Sequence, residues 1–172
     1  HYLSDPAQVA LLPGVASAMR RLRDDGFLLI GLSNQSGIGR GYFTLAEHAA
    51  VMRRLDELLA TEDVAFDGFF FCPHAPRDDC PCRKPRTGLL QEAAAHFRWT
   101  AARSWLVGDK VSDIELAQTA SLGAILVLTG HGSEQATGFA ARWTATPRRL
   151  VLADLPAAAR HIRAAGAAEP RS

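Results

Sequence analysis

Four short apolar runs, "FLLIGLS" (Phe27–Ser33), "FDGFFF" (Phe66–Phe71), "SWLVGD" (Ser104–Asp109) and "AILVL" (Ala124–Leu128), are separated by stretches with helical spacing. A strand covered on both faces by helices has no polar side to alternate, so it reads as a continuous apolar run. The stretch "PGVASAMRRLRDDG" places Pro13 near a helix start, Val15, Met19 and Leu22 at helical spacing, and Gly26 as a stop. Thr44 and Glu47 form a capping box ahead of "LAEHAAVMRRLDELLA", and Ser112 with Glu115 reads as a second one for "DIELAQTA". "GLLQEAAAHF" is a further helix. Beyond the last apolar run a weak helix is expected over Glu134–Arg142, then an irregular piece with Pro147. A short strand at Leu150–Leu152, a final helix opened by Asp154 and Pro156, and a frayed tail "AAEPRS" complete the reading. Strands alternating with helices at this spacing predict an α/β fold with a doubly wound, mostly parallel sheet. A length of 172 residues suits one domain, 1–172.

Several classes drop out. The apolar runs fall well short of the roughly 18 to 20 residues needed to span a bilayer, and no basic-then-apolar signal stretch opens the chain, so no membrane is implied. A net charge of +1 argues against nucleic-acid binding, which relies on clustered basic charge. Arg148, Arg149 and the other late arginines read as solvated surface. Three closely packed cysteines make a poor disulfide framework. A cytoplasmic monomer without nucleic-acid or membrane partners is the expectation.

In open α/β sheets ligands collect at the carboxyl ends of the strands, and the polar clusters of this chain follow three such ends. "SNQSGIGRG" follows the first run, "CPH" the second and "GDKVSD" the third. The second leads into "CPHAPRDDCPCRKP", which holds every cysteine of the chain. Cys72, His74, Cys80 and Cys82 supply C-x-H followed by C-x-C, a soft ligand set suited to tetrahedral Zn²⁺. Four protein ligands leave no open position, so the ion is expected to be structural, stapling a loop over 72–84 with little core of its own. A reduced, unligated set of thiols is the alternative. A redox C-x-x-C is excluded, because a single residue separates Cys80 from Cys82.

The other strand-end residues suggest a phosphate site. Ser33 and Asn34 can donate hydrogen bonds to phosphate oxygens, with Gln35 and Ser36 grouped beside them as substrate contacts, and the following glycines let backbone amides come close. Lys84 places a cation where a dianion could sit, and Arg83 can grip an oxyanion with a bidentate fork. Asp109 is an oxygen ligand of the kind Mg²⁺ takes, with Asp113 one helical turn on. Each signal alone is weak, since Ser-Asn pairs, Lys-Pro and Gly-Asp are usually turns, surface or caps. Their order and shared placement at strand ends predict that Ser33, Lys84 and Asp109 converge on one small pocket.

On "LSNQSGIGRGYF", "CPH…CPCRKP", "GLL" and "VGDKVSDIELA" the sequence resembles the haloacid dehalogenase superfamily, a Rossmann-like fold. Within it the resemblance is to the D-glycero-D-manno-heptose 1,7-bisphosphate 7-phosphatases and their histidinol-phosphatase relatives. The likeness runs from about Leu12 to about Leu155, and the C-x-H…C-x-C-R-K-P segment is peculiar to the zinc-bearing subgroup. It implies that Ser33 is the second-motif phosphate-binding hydroxyl, Lys84 the third-motif lysine and Asp109 the fourth-motif Mg²⁺ ligand supported by Asp113. Arg83 and Lys110 are similar to residues lining the substrate and metal pocket. No long insertion follows the first run, so no separate cap domain is expected.

The family's chemistry rests on an N-terminal strand ending in Asp-x-Asp-Gly-Thr or Asp-x-Asp-Gly-Val, whose first aspartate is nucleophile and whose second is general acid and base. No such segment stands in this sequence, and Asp5 in "YLSDP" follows no strand. The absent strand would lie mid-sheet, between Phe27–Ser33 and Ser104–Gly108, where each unsatisfied buried backbone group costs about 1 to 3 kcal/mol. The expectation is therefore an N-terminally trimmed sequence whose nucleophile stands upstream of His1, with His1–Ser172 able to bind but not to turn over. The implied reaction is phosphoryl transfer through an aspartyl phosphate, with Mg²⁺ and Lys84 neutralising the phosphoryl oxygens. Three readings stay open: a Mg²⁺-dependent heptose bisphosphate phosphatase of surface-glycan (lipopolysaccharide) synthesis, a histidinol-phosphate phosphatase, and a non-catalytic phosphate-binding module. The first two share their visible residues; the sugar is favoured because the short zinc loop offers no obvious place for an imidazole.

Overall fold

The computed structural model describes residues 2–139 and 146–167, which fall into two compact units, His1–Ala93 and Ala94–Ser172. In the first unit a 3-10 turn (Pro6–Gln8) leads to α1 (Val15–Asp24), which buries Ala16, Ala18, Met19 and Leu22. Strand β1 (Ile30–Asn34) pairs in parallel with β2 (Gly68–Cys72), from Ile30 opposite Gly68 to Asn34 opposite Cys72. β1 starts later than its apolar run suggested. The amide of Phe27 closes the end of α1 on the Leu22 carbonyl at 3.0 Å, and Leu29 exchanges bonds with Asp67, its amide at 2.7 Å from Oδ2. Between the strands lie α2 (Ser36–Gly39) and α3 (Leu45–Ala60). The α3 capping box is formed as read, Glu47 N donating to Thr44 Oγ1 at 3.2 Å and Thr44 N to Glu47 Oε2 at 2.7 Å. The short α2 covers the first two glycines of the glycine-bearing stretch after β1. It is tied to the end of β2 and the residue after it by Gln35 N to Cys72 O and Gly39 N to Pro73 O, both 2.8 Å. After β2 come a 3-10 turn (Pro76–Asp78) and α4 (Gly88–His96).

The second unit holds β3 (Trp105–Gly108), α5 (Val111–Thr119), β4 (Gly123–Val127), α6 (Gly132–Phe139), β5 (Arg149–Leu152) and α7 (Leu155–Ala167). Its sheet has the order β3-β4-β5, all parallel, with every residue of the central β4 buried, as a doubly covered strand should be. Ile114, Leu116 and Ala117 of α5 and Ala158, Ala159 and Ile162 of α7 supply the apolar cover. The final helix is capped where expected, Ala157 N donating to Asp154 Oδ1 at 2.8 Å. The expected helix over Glu134–Arg142 is α6 as far as residue 139; its remainder and residues 168–172 of the tail lie outside the described residues.

Two expectations are corrected here. α5 begins at Val111, so Ser112 and Glu115 do not cap it; Asp113 does, its Oδ2 accepting from Lys110 N at 3.2 Å, while Gln135 Oε1 accepts from Val111 N at 3.2 Å. Arg148 is not solvated surface. Its guanidinium donates to the carbonyls of Ala101 (3.0 Å), Ala102 and Ser104 (2.9 Å), and stacks over Trp105 at 4.7 Å. Such a planar cation can satisfy several acceptors while packing its face on an aromatic ring. Across both units the architecture is α/β with parallel sheets, and among the described residues no helix is long and apolar enough to cross a membrane.

Candidate active site and metal centre

The end of β1 carries the first candidate set. Ser33 and Asn34 close the strand half-buried, and Gln35 Nε2 donates to Ser33 Oγ at 2.9 Å. Asn34 spends its amide on the lysine: its Nδ2 donates to Lys84 O at 3.1 Å and its Oδ1 accepts from Lys84 N at 3.0 Å. A two-point clamp of this kind fixes a backbone segment in both position and rotation, so Asn34 here orients Lys84. The Lys84 ammonium in turn donates to the Leu32 carbonyl on β1, which brings its charge to the same strand as Ser33. Arg83 Nη1 is buried and has no hydrogen-bond partner among the described residues, which leaves donor capacity for an anion. Ser36 is buried, its hydroxyl 3.0 Å from the Tyr2 hydroxyl.

The loop after β2 gathers the four expected ligands. Cys72 Sγ lies 3.6 Å from His74 Nδ1 and 3.4 Å from Cys80 Sγ, and Cys82 Sγ lies 3.4 Å from Cys80 Sγ and 3.3 Å from His74 Nδ1. All four donor atoms fall within 4.8 Å of one another. A tetrahedron drawn with metal–sulfur bonds near 2.3 Å and metal–nitrogen bonds near 2.0 Å has edges of about 3.5 to 3.8 Å, close to these separations. Burial pushes the Cys82 thiol up to about 12, with the neighbouring thiols adding to it, and burial likewise raises Cys72. Cys80 is also pushed up by burial, but hydrogen bonds from Cys72, Cys82 and the Arg83 and Cys82 amides outweigh this and lower it. Three adjacent sulfurs cannot all be thiolates without a cation between them, and a divalent metal removes that restriction. The cluster also belongs to the core, Cys72, Cys80 and Leu89 being buried together with Leu32 and Phe70 packed on them. Arg86, which sequence reasoning passed over, clasps the loop by donating to the Asp79 and Cys80 carbonyls and to the Asp79 carboxylate. Asp78 Oδ2 accepts from Ala75 N at 2.8 Å.

The second unit carries the acidic set. Asp109 follows β3 directly, and its Oδ2 accepts the backbone amide of His131 at 2.9 Å. Asp113 is buried at 5% exposure and capped on α5 as described, and Gly108 is required beside it, since a Cβ there would lie 2.3 Å from Asp113 Oδ2. Lys110 is exposed at the N-terminus of α5. Gly130, His131 and Gln135, which engage Asp109 and Val111, went unremarked in the sequence; the paired glycines of "TGHG" after a buried strand were the available signal. Chemically, the strand ends supply a hydroxyl, an ammonium and a guanidinium in one unit and carboxylates in the other, the functional groups for binding an anion and a hard cation.

Parallel α/β units with such strand ends are compatible with many chemistries; the HAD-hydrolase-like family model matches residues 81–158. The D-glycero-beta-D-manno-heptose-1,7-bisphosphate 7-phosphatase of Escherichia coli K12 is 38% identical, the match covering 91% of this chain and 84% of that one. That of Pseudomonas aeruginosa is 38% identical over 70% of this chain and 68% of its own. Among solved structures, the D,D-heptose 1,7-bisphosphate phosphatase of B. bronchiseptica, complexed with magnesium and phosphate, superposes with a TM-score of 0.85 at 30% identity, covering 95% of this chain and 89% of that one. A putative HAD-like phosphatase from Mesorhizobium loti follows at 0.76 and 31% identity, over 94% and 78%. This chain belongs to the haloacid dehalogenase-like phosphatases, in the family of the heptose bisphosphate phosphatases.

Proposed function

We propose that the protein is a Mg²⁺-dependent phosphoric monoester hydrolase that removes the 7-phosphate of D-glycero-D-manno-heptose 1,7-bisphosphate through an aspartyl-phosphate intermediate. It works as a cytoplasmic monomer on the free phosphorylated sugar. The observation that carries this is the 38% identity to curated 7-phosphatases across 91% of the chain. In this reading the Ser33 hydroxyl and the Lys84 ammonium, the latter held by Asn34, bind the phosphoryl oxygens. Arg83 and Lys110 grip the rest of the anion, with Gln35 and Ser36 shaping the strand-end turn. Asp109, supported by Asp113, holds Mg²⁺, which supplies charge neutralisation at the phosphoryl group. The oxygen donors suit that hard cation, and the magnesium in the B. bronchiseptica structure supports it. No Asp-x-Asp occurs in His1–Ser172, so no residue of this chain is assigned the attack. The Cys72, His74, Cys80 and Cys82 cluster holds a structural Zn²⁺, the ion that best matches three thiolates and an imidazole in a closed tetrahedral set.

The full natural chain, assayed with Mg²⁺ on heptose 1,7-bisphosphate and histidinol phosphate, is expected to prefer the sugar. Lys84→Ala and Asp109→Asn should each lower kcat/KM by about 10² to 10³, the size of a lost electrostatic contact to the transition state. A preference for histidinol phosphate, or full activity in either variant, would overturn the assignment.

A further inference from the structure

The turn from the end of β4 into the first residue of α6, Leu128–Gly132, makes contact with Asp109 at two points. The His131 amide donates to Asp109 Oδ2 at 2.9 Å. Gly130, in the left-handed region at φ +61, lies so close that a Cβ there would fall 2.4 Å from the same oxygen. The turn is itself braced: Gly132 N donates to Thr129 O at 3.0 Å, Ser133 Oγ to Leu128 O at 2.7 Å, and a Cβ on Gly132 would sit 1.7 Å from Val127 O. Backbone therefore packs on a carboxylate oxygen with no space for a side chain between them. A carboxylate offers two oxygens and rotates readily, whereas Mg²⁺ demands a near-ideal octahedral arrangement, so a ligand already held by a second partner loses less freedom on binding.

We propose that Gly130 and the His131 amide are positioning elements for Asp109: the turn grips Oδ2 and thereby commits the other oxygen to the cation. This rests on the reading of Asp109 as a metal ligand. The required glycine is then explained by the carboxylate, beyond the turn's own conformation. A glycine needed only for its backbone would behave like Gly26, which has φ +87 and open space where a Cβ would point, with nothing within 4 Å.

The test uses Mn²⁺ as a spectroscopically visible stand-in for Mg²⁺, titrated by electron paramagnetic resonance into the full natural chain. Gly130→Ala is expected to weaken Mn²⁺ binding about tenfold or more, in line with losses on removing an outer-shell partner. Gly26→Ala, which carries comparable backbone strain, should leave the affinity unchanged. A wild-type protein that takes up no Mn²⁺ would overturn both the metal reading and this inference. A wild type that binds, with Gly130→Ala binding equally well, would overturn the inference alone. Should Gly130→Ala fail to fold, amide hydrogen exchange decides instead: the His131 amide should be protected in the wild type and exchange roughly tenfold faster or more in Asp109→Ala. Equal exchange rates would refute the grip.

Discussion

The loop Cys72–Lys84 and the turn Leu128–Gly132 both follow the carboxyl end of a parallel strand, yet they differ in what dominates their hold. The loop exposes His74, Arg77, Asp78 and Asp79, and beside backbone bonds such as Gly39 N to Pro73 O it relies on side chains: four ligand atoms, the Asp78 cap and the Arg86 clasp. The turn is held by the Gly132 N to Thr129 O bond, by single bonds between its backbone and the Asp109 and Ser133 side chains, and by glycines that admit no Cβ. A structure tied by side chains is open to chemistry, through chelation or substitution of a ligand. One tied by close backbone approach is open mainly to sterics. The two regions should therefore fail under different perturbations.

The largest effect is expected at the loop. Cys80→Ser should abolish stoichiometric metal in protein purified without chelator. Because ligation is coupled to folding, it should also lower unfolding free energy by more than about 4 kcal/mol in denaturant titrations. Retained metal and unchanged stability would break the comparison. Next comes the turn: Gly132→Ala drives a Cβ into the Val127 carbonyl and should cost about 1 to 3 kcal/mol by overpacking, while leaving metal content intact. A loss of metal from the cysteine cluster in this variant would show that the regions are not independently held. Arg86→Ala should cost about 1 to 2 kcal/mol, chiefly through the part-buried Cys80 carbonyl left without its donor, read as a lower thermal midpoint.

The smallest effect concerns pH. His48 on α3 is buried, stacked on Phe71 of β2 at 4.3 Å, and burial lowers its pKa below 6.5. The unfolded chain therefore takes a proton near pH 6.5 that the folded protein refuses. Stability from this group is fully present above that pH and declines as the pH falls below it, with a slope of at most about 1.4 kcal/mol per pH unit for one proton. His48→Leu should flatten that part of the stability–pH curve; an unchanged slope would assign the dependence elsewhere.

Much of this molecule was legible from residue order. The alternation of apolar runs with helical stretches gives parallel α/β units, because a doubly covered strand and an amphipathic helix each carry their pattern within a few residues. The Thr44–Glu47 box is local for the same reason, and the ligand set Cys72, His74, Cys80 and Cys82 lies within one loop, where spacing alone states which atoms can meet. What the tertiary structure decided depends on partners distant in sequence. Asn34 reaches Lys84 across 50 residues, His131 reaches Asp109 across 22, and Arg148 reaches Ser104 across 44. Phe27 reads as strand yet closes α1, and Ser112 reads as a cap yet yields to Asp113, because hydrogen bonds in the folded chain had already claimed those backbone groups. Propensity ranks the options of a short segment, whereas a buried donor or acceptor must find its partner wherever the fold supplies one.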